Sequence, residues 1–317
     1  MELKGTVVFS SGKAGDFDIW TIELESGQLK QLTHGQYWND SPRWSPDGKQ
    51  ITFISNRTGV PEVWLMDEDG GSQTQLTSND KFHSGPVWSP DGKKIAFCAN
   101  YETPNEIEIW AVDAKGGEPE VLITSPGMET EPSWSPDGKK MIFAAPRSGD
   151  YDIWEYTIDS KEFRQLTNHS AKDFAPSYSP DGNLIAFVST RDPNNEDETK
   201  DTDIWLMKAD GSEEPQRLTT NKGQDLYVTW SPDGKGLVYC AGGRSNGTGR
   251  IQFIDLEKEK VVRYGYNRSE LEQEIGSDVR RTGLNLGLFT LVLPKAIRRQ
   301  YYPDSYFGKE RHPHWKH

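Results

Sequence analysis

Short apolar runs alternate with turn residues along almost the whole chain, and no run has the 3.6-residue period of a long helix. Residues 86 to 124 show the pattern most clearly. Pro86 to Ser89 predicts a short strand, and Ser89 to Gly92 (Ser-Pro-Asp-Gly) a tight turn. Proline presets the second turn position, aspartate tolerates the third, and glycine supplies the exit. Lys94 to Ala99 predicts the second strand, Glu106 to Asp113 the third, Gly116 and Gly117 the next turn, and Glu120 to Thr124 the fourth. The strands are short and half-apolar, so none can bury its faces without neighbours.

The same unit recurs. Trp-Ser-Pro-Asp-Gly stands at 44–48, 88–92, 134–138 and 230–234, with Tyr178 opening the variant at 178–182; the spacings are 44, 46, 44 and 52 residues. Acid, then Ile or Val, then Trp recurs at Asp18, Glu62, Glu108, Asp152 and Asp203, and Leu-Thr pairs end units at Thr33, Thr77, Thr167 and Thr219. A fixed period of this size marks an array of similar sheets. Four antiparallel strands per unit make a β-propeller blade, and the expected fold is all-β with six blades. Residues 1–33 lack a first strand, while Pro313 to Trp315 have the Pro-x-Trp form that opens other units. A C-terminal strand paired into the N-terminal blade would close the ring and leave no bare edge. The expected organisation is a propeller over 1–264 plus 310–317, with 265–309 forming a helix and hairpin cap or, alternatively, a degenerate seventh blade. Ser269 to Glu272 resembles a capping box, and Leu284 to Leu293 reads as a strand.

The chain has 317 residues and a formal net charge of -13, which argues against a nucleic-acid groove. Residues 265–317 are its basic part. No apolar run is long enough for a membrane span, and no signal peptide precedes the first strand. That pattern fits a cytoplasmic chain if it is full length, or a periplasmic or secreted one if a leader was removed. Both cysteines, Cys98 and Cys240, follow the aromatic of a second strand, on opposite sides of a six-fold ring, so both should be free thiols. Nine of the eleven tryptophans fall in the repeated landmarks, which assigns them to packing.

The repeated Trp-Ser-Pro-Asp-Gly turns, with the acid-Ile-Trp strand and the Leu-Thr end, resemble the TolB-type propeller family. The family's fold is also found in prolyl-oligopeptidase-like peptidases and oligogalacturonate lyases. The resemblance covers residues 6–262 and 311–315. It implies the propeller and leaves function to the sites grafted on it.

Three residues before each Pro-x-Trp proline, or its equivalent, stand Asn39, His83, Glu129, Asp173, Asp225 and Glu310. These positions converge on one mouth of the channel and predict an electronegative ring, suited to a ligand or a calcium-like cation. The leading expectation is a monomeric, non-catalytic binding or scaffold propeller that uses this mouth to engage a protein partner and needs no cofactor. The alternative is a divalent-metal-assisted lyase on an acidic saccharide. His312-Pro313-His314 resembles the histidine pair of oligogalacturonate lyases, which with His83 would make a metal set. Gly243 to Gly247 matches the Gly-x-Ser-x-Gly pattern, but it sits in a predicted hairpin, not at a strand-to-helix elbow. The acidic insertion at 191–203 and the Arg/Tyr-rich tail at 280–307 are further candidate contact segments.

Overall fold

The computed structural model describes residues 5–11, 17–79, 81–101, 106–124, 127–191, 201–220, 223–241, 250–257, 260–262 and 284–286. They form six four-stranded sheets. The second blade is β4 (Asn39–Trp44), β5 (Gln50–Ser55), β6 (Glu62–Asp67) and β7 (Thr74–Gln75). The third is β8 (His83–Trp88), β9 (Lys94–Ala99), β10 (Glu108–Asp113) and β11 (Glu120–Ile123). The fourth is β12 (Thr130–Trp134), β13 (Lys140–Ala145), β14 (Asp152–Thr157) and β15 (Glu162–Gln165). The fifth is β16 (Asp173–Tyr178), β17 (Leu184–Ser189), β18 (Asp203–Lys208) and β19 (Gln216–Arg217). The sixth is β20 (Leu226–Trp230), β21 (Gly236–Ala241), β22 (Arg250–Asp255) and β23 (Lys260–Val262). The first blade holds β1 (Thr6–Ser11), β2 (Asp18–Glu23) and β3 (Leu29–Gln31), and its fourth strand is β24 (Leu284–Leu286), antiparallel to β1.

The fold is therefore the expected six-bladed propeller. The strand beside β1 lies inside the stretch that the sequence assigned to a cap, within the strand expected at 284–293. Pro313 to Trp315, expected in that place, lie outside the described residues.

Each strand's period of two serves two interfaces at once. On β9, Ile95, Phe97 and Ala99 pack toward the second blade, while Ala96 and Cys98 pack toward the fourth. Strands buried on both faces read as near-continuous apolar runs, which is what Ile95 to Ala99 shows. A separate apolar cluster fills every blade-to-blade boundary, including the one that joins the sixth blade to the first through Phe9, Trp20, Val238 and Phe253. Both cysteines are free and buried, and burial pushes the Cys240 thiol up to about 12.

Two polar devices explain the repeated motifs. In the Ser-Pro-Asp-Gly turns, the serine hydroxyl donates to the aspartate at 2.6–2.7 Å, and the glycine N–H donates to the serine carbonyl at 2.9 Å. The turn glycines have φ between 69° and 76°, the left-handed region that a side chain disfavours. The second device joins the acid of the third strand to the threonine that ends the unit. Thr33 Oγ1 accepts from Ile19 N at 2.8 Å and donates to Asp18 at 2.8 Å. Thr167 repeats this with Ile153 and Asp152, and Thr219 with Ile204 and Asp203. The carboxylates are buried, so the hydroxyl is a partner that water cannot replace.

Thr167→Val should therefore destabilise the protein by about 1–3 kcal/mol, because it leaves a buried N–H and a buried carboxylate short of a partner. Thr167→Ser should cost much less. Chemical denaturation of the two variants beside the wild type checks the difference.

Candidate functional site

The sequence column lies where each inner strand begins. Asn39, His83 and Asp173 are the first residues of β4, β8 and β16, and Glu129 and Asp225 immediately precede β12 and β20. All five are at 0% exposure. The expectation was an electronegative ring at one mouth of the channel; these side chains are buried, and Asn39 and His83 also bond across to the preceding blade.

Four of the five, Asn39, His83, Glu129 and Asp173, meet a residue eighteen positions further on, just past the second strand. Arg57 donates to Asn39 Oδ1 at 3.0 Å, Arg147 to Glu129 at 3.3 Å, and Arg191 to Asp173 at 2.5 Å. In the third blade Tyr101 takes the arginine's place and its hydroxyl lies 2.9 Å from His83 Nε2. The arginines are stacked on the aromatic landmarks, Arg57 at 4.4 Å from the Trp64 ring and Arg191 at 5.5 Å from Trp205. Tyr101 likewise stacks on Trp110 at 4.3 Å. Stacking holds the guanidinium flat and aims its edge at the acid. Even so, burial outweighs Arg191 and raises the Asp173 carboxyl above its ordinary value. The partner column was present in the sequence as Arg57, Arg147 and Arg191, each two residues beyond a second strand, and a search restricted to acids and histidines passes over it.

His83 is fully committed. Its Nδ1 is 3.0 Å from the Pro61 carbonyl and 3.1 Å from Glu62, while Nε2 faces Tyr101. Burial lowers its pKa to about 4, so the ring is neutral at physiological pH. A neutral ring with Nδ1–H donating to Pro61 and Nε2 accepting from Tyr101 has no lone pair left for a metal. Glu310, His312 and His314 lie outside the described residues. So do Gly243 to Gly247, most of the acidic insertion and the Arg/Tyr-rich tail. Among the described residues no group of three or more His, Cys, Asp or Glu is placed to hold a metal ion.

A second set of repeated positions stands two residues further along each inner strand. A β-bulge interrupts every one of β4, β8, β12, β16 and β20. At these bulges Ser41, Gly85, Glu131, Ala175 and Tyr227 have positive φ, from 49° to 61°. Bulges re-aim side chains. Glu131 accepts from Ala175 N at 2.5 Å. Burial pushes its pKa up to about 7, with the Ala175 N–H and Arg43 opposing the rise. Arg43, on an inner strand two blades away, is lowered to about 9 by burial, with Glu131 opposing. Its Nε has no hydrogen-bond partner among the described residues. The bulge residues escaped the sequence reading because the position is defined by backbone conformation and shares no side-chain type.

The model of the TolB beta propeller domain matches residues 4–125 and 86–196, more than half of the chain between them. The chain belongs to the TolB beta propeller domain family. Among solved structures it is similar to TolB from Acinetobacter baumannii, with a TM-score of 0.69 and 23% identity over 82% of this chain and 63% of that one. It is also similar to a protein assigned as TolB from Agrobacterium tumefaciens, with a TM-score of 0.67, 24% identity, and 80% and 88% coverage. An oligogalacturonate lyase in complex with manganese superposes with a TM-score of 0.52 at 17% identity, over 82% of this chain and 73% of that one. These identities show a shared fold. A 37-residue stretch is 49% identical to the uncharacterized protein Atu1656 of Agrobacterium fabrum, covering 12% of this chain and 13% of that protein. No helix among the described residues is long and apolar enough to cross a membrane.

Glu131 gives this TolB-family propeller a testable pH dependence. Its folded pKa of about 7 exceeds the ordinary 4.5, so the folded chain binds this proton more tightly than the unfolded one. The associated stability is present below about pH 4.5 and is lost as pH rises through about 7. Glu131→Gln mimics the neutral form. Its melting temperature relative to wild type should therefore climb by several degrees between pH 4.5 and pH 8, and a gap that stays constant across that window would contradict the raised pKa.

Proposed function

We propose that this TolB-family propeller is a non-catalytic binding or scaffold module that engages a protein partner through its channel mouth. One observation supports the reading above the others. The residues with the richest chemistry, in the column from Asn39 to Asp173, are buried and hydrogen-bonded to other residues of the propeller, whereas Arg43, which feels the charge of Glu131, keeps an Nε with no hydrogen-bond partner among the described residues. A buried guanidinium with an unused donor, in the field of a carboxyl that burial raises to about 7, suits a polar segment of a partner better than a substrate to be cleaved.

The cation reading of the column is weakened by the same bonds, since arginines already neutralise Glu129 and Asp173. The lyase reading is weakened by His83, whose two ring nitrogens are both in use. The manganese-bound lyase is a neighbour in fold, and its metal chemistry does not transfer at this identity.

Affinity capture from the source cell with wild-type and Arg43→Glu baits tests the partner. A protein retained by the first and lost from the second supports the channel mouth, and equal retention moves the contact elsewhere. Unfolding curves in calcium, magnesium, manganese and chelator should coincide, because a cation bound only to the folded state would raise the melting temperature with its concentration. Incubation with oligogalacturonate and manganese should give no rise in the ultraviolet absorbance of an unsaturated uronate. A rise abolished by changing His312 and His314 to Ala would establish the lyase.

A further inference from the structure

The repeat is regular enough that its departures stand out, and four of them meet between the turns of the fourth and fifth blades. Tyr178 replaces the tryptophan of the other turns. Asn183 replaces the lysine that stands at 49, 93, 139 and 235, and Leu184 follows it where Gln50, Lys94, Lys140 and Gly236 stand elsewhere. Glu155, on the third strand of the fourth blade, holds the position that Thr21, Leu65, Ala111, Leu206 and Phe253 hold in the others. All four residues line one cavity of about 670 Å³. Tyr178 is the last residue of β16 and Asp173 the first, so the cavity lies at the far end of the inner strand from the buried column.

Glu155 anchors the site. Its buried carboxylate accepts from Lys140 Nζ at 3.1 Å and Arg164 Nε at 3.0 Å on Oε1, and from the Tyr178 hydroxyl at 2.8 Å on Oε2. Burial opposes the charge, but the bonds from Arg164, Tyr178 and Lys140 outweigh it and hold the carboxyl below its ordinary value. Arg164 is fully engaged, since its other nitrogens donate to the Asp210 and Ala209 carbonyls of the fifth blade at 2.9 and 3.0 Å. Lys140 is not: an ammonium carries three hydrogens, and this one gives a single bond to Glu155 and stays partly exposed. Asp137 uses Oδ1 for the Ser135 hydroxyl and the Lys139 N–H, which leaves Oδ2 as an acceptor. The Asn183 amide gives one hydrogen to Asp181 at 2.8 Å and keeps a second hydrogen and its oxygen.

We propose that this cavity binds a neutral saccharide. Lys140 and Asn183 offer donors and Asp137 and Asn183 offer acceptors in one cavity, and a hydroxyl is the group that uses both. The wall carries three cationic side chains and four carboxylates. A phosphate or carboxylate ligand would face the four acids, and an ammonium ligand the three cations, so a full charge of either sign is disfavoured. Pro136, Leu184 and Ala209 supply apolar surface for the C–H face of a sugar ring. The volume suits a small ligand of one or two rings. This site is separate from the channel mouth, and neither reading depends on the other.

Saturation-transfer NMR of the full chain with maltose, cellobiose, lactose and diacetylchitobiose tests this. At least one should bind, and Lys140→Ala should weaken it by about ten-fold or more. Lys94→Ala, the same position in the third blade, should leave binding unchanged. Restoring the repeat with Asn183→Lys and Leu184→Lys should abolish binding. Neither residue is buried, and Lys93-Lys94 and Lys139-Lys140 show that the turn accepts such a pair, so the double variant should keep the wild-type unfolding transition. Glucuronate and glucosamine, of opposite charge, should bind more weakly than the neutral sugar. The bound disaccharide attached to albumin through its reducing end separates two sources: capture of the conjugate assigns the chain end of a glycan, and binding of the free sugar alone assigns a soluble one. Failure of all four disaccharides to bind, binding that survives Lys140→Ala and the double variant, or tighter binding of a charged sugar overturns the proposal.

Discussion

Every blade of this protein has both faces against a neighbour, so no blade is complete without the two beside it. The apolar clusters lie between sheets, one at each boundary, and none belongs to a single blade. Burial of this kind supplies most of the drive for the ring, at roughly 25 cal/mol per Å² of apolar surface removed from water. It also sets the composition: second strands such as Ile51 to Ser55 and Ile95 to Ala99 are buried throughout, whereas an outer strand such as Glu162 to Gln165 is largely exposed. Modest overall hydrophobicity is compatible with a firm interior because the apolar residues are concentrated in the middle strands of each blade.

Packing alone leaves the sheets free to slide, and the polar bonds fix them. The acid of the third strand, the threonine at the end of the unit and the backbone N–H next to the acid form a buried chain in which each hydrogen has one place to go. The arginine columns add a second tie, from the second strand back to the start of the inner strand. Buried charges arranged this way contribute more to register than to net stability, since desolvation offsets much of their attraction. Residues of the column that look like chemistry in the sequence thereby have a role in the architecture as well.

The architecture was legible because it is written five times. Trp-Ser-Pro-Asp-Gly at 44, 88, 134 and 230, and its tyrosine form at 178, located the turns, and the acid-Ile-Trp landmarks located the third strands. The position of the column was also legible, at the start of each inner strand. Its orientation was not. Whether Glu129 faces the channel or the blade depends on Arg147, eighteen residues away and on another strand, and on the aromatic stack that holds that arginine. The bulge residues were hidden for a different reason. Ser41, Glu131, Ala175 and Tyr227 have nothing in common except a backbone angle. The first blade's inner strand was predicted from a motif, Pro-x-Trp, whereas β24 carries no such motif and is recognised only by its pairing with Phe9 to Ser11.

The two buried thiols have a use that their chemistry does not suggest. Burial raises both above the range in which a thiolate forms, so neither reacts while its surroundings stay closed. Cys98 sits in the seam between the third and fourth blades, and Cys240 lies on β21 of the sixth. Alkylation of either then reports how often that seam or that strand parts. The molecule carries two built-in clocks for the breathing of its ring, at two widely separated points on the circumference.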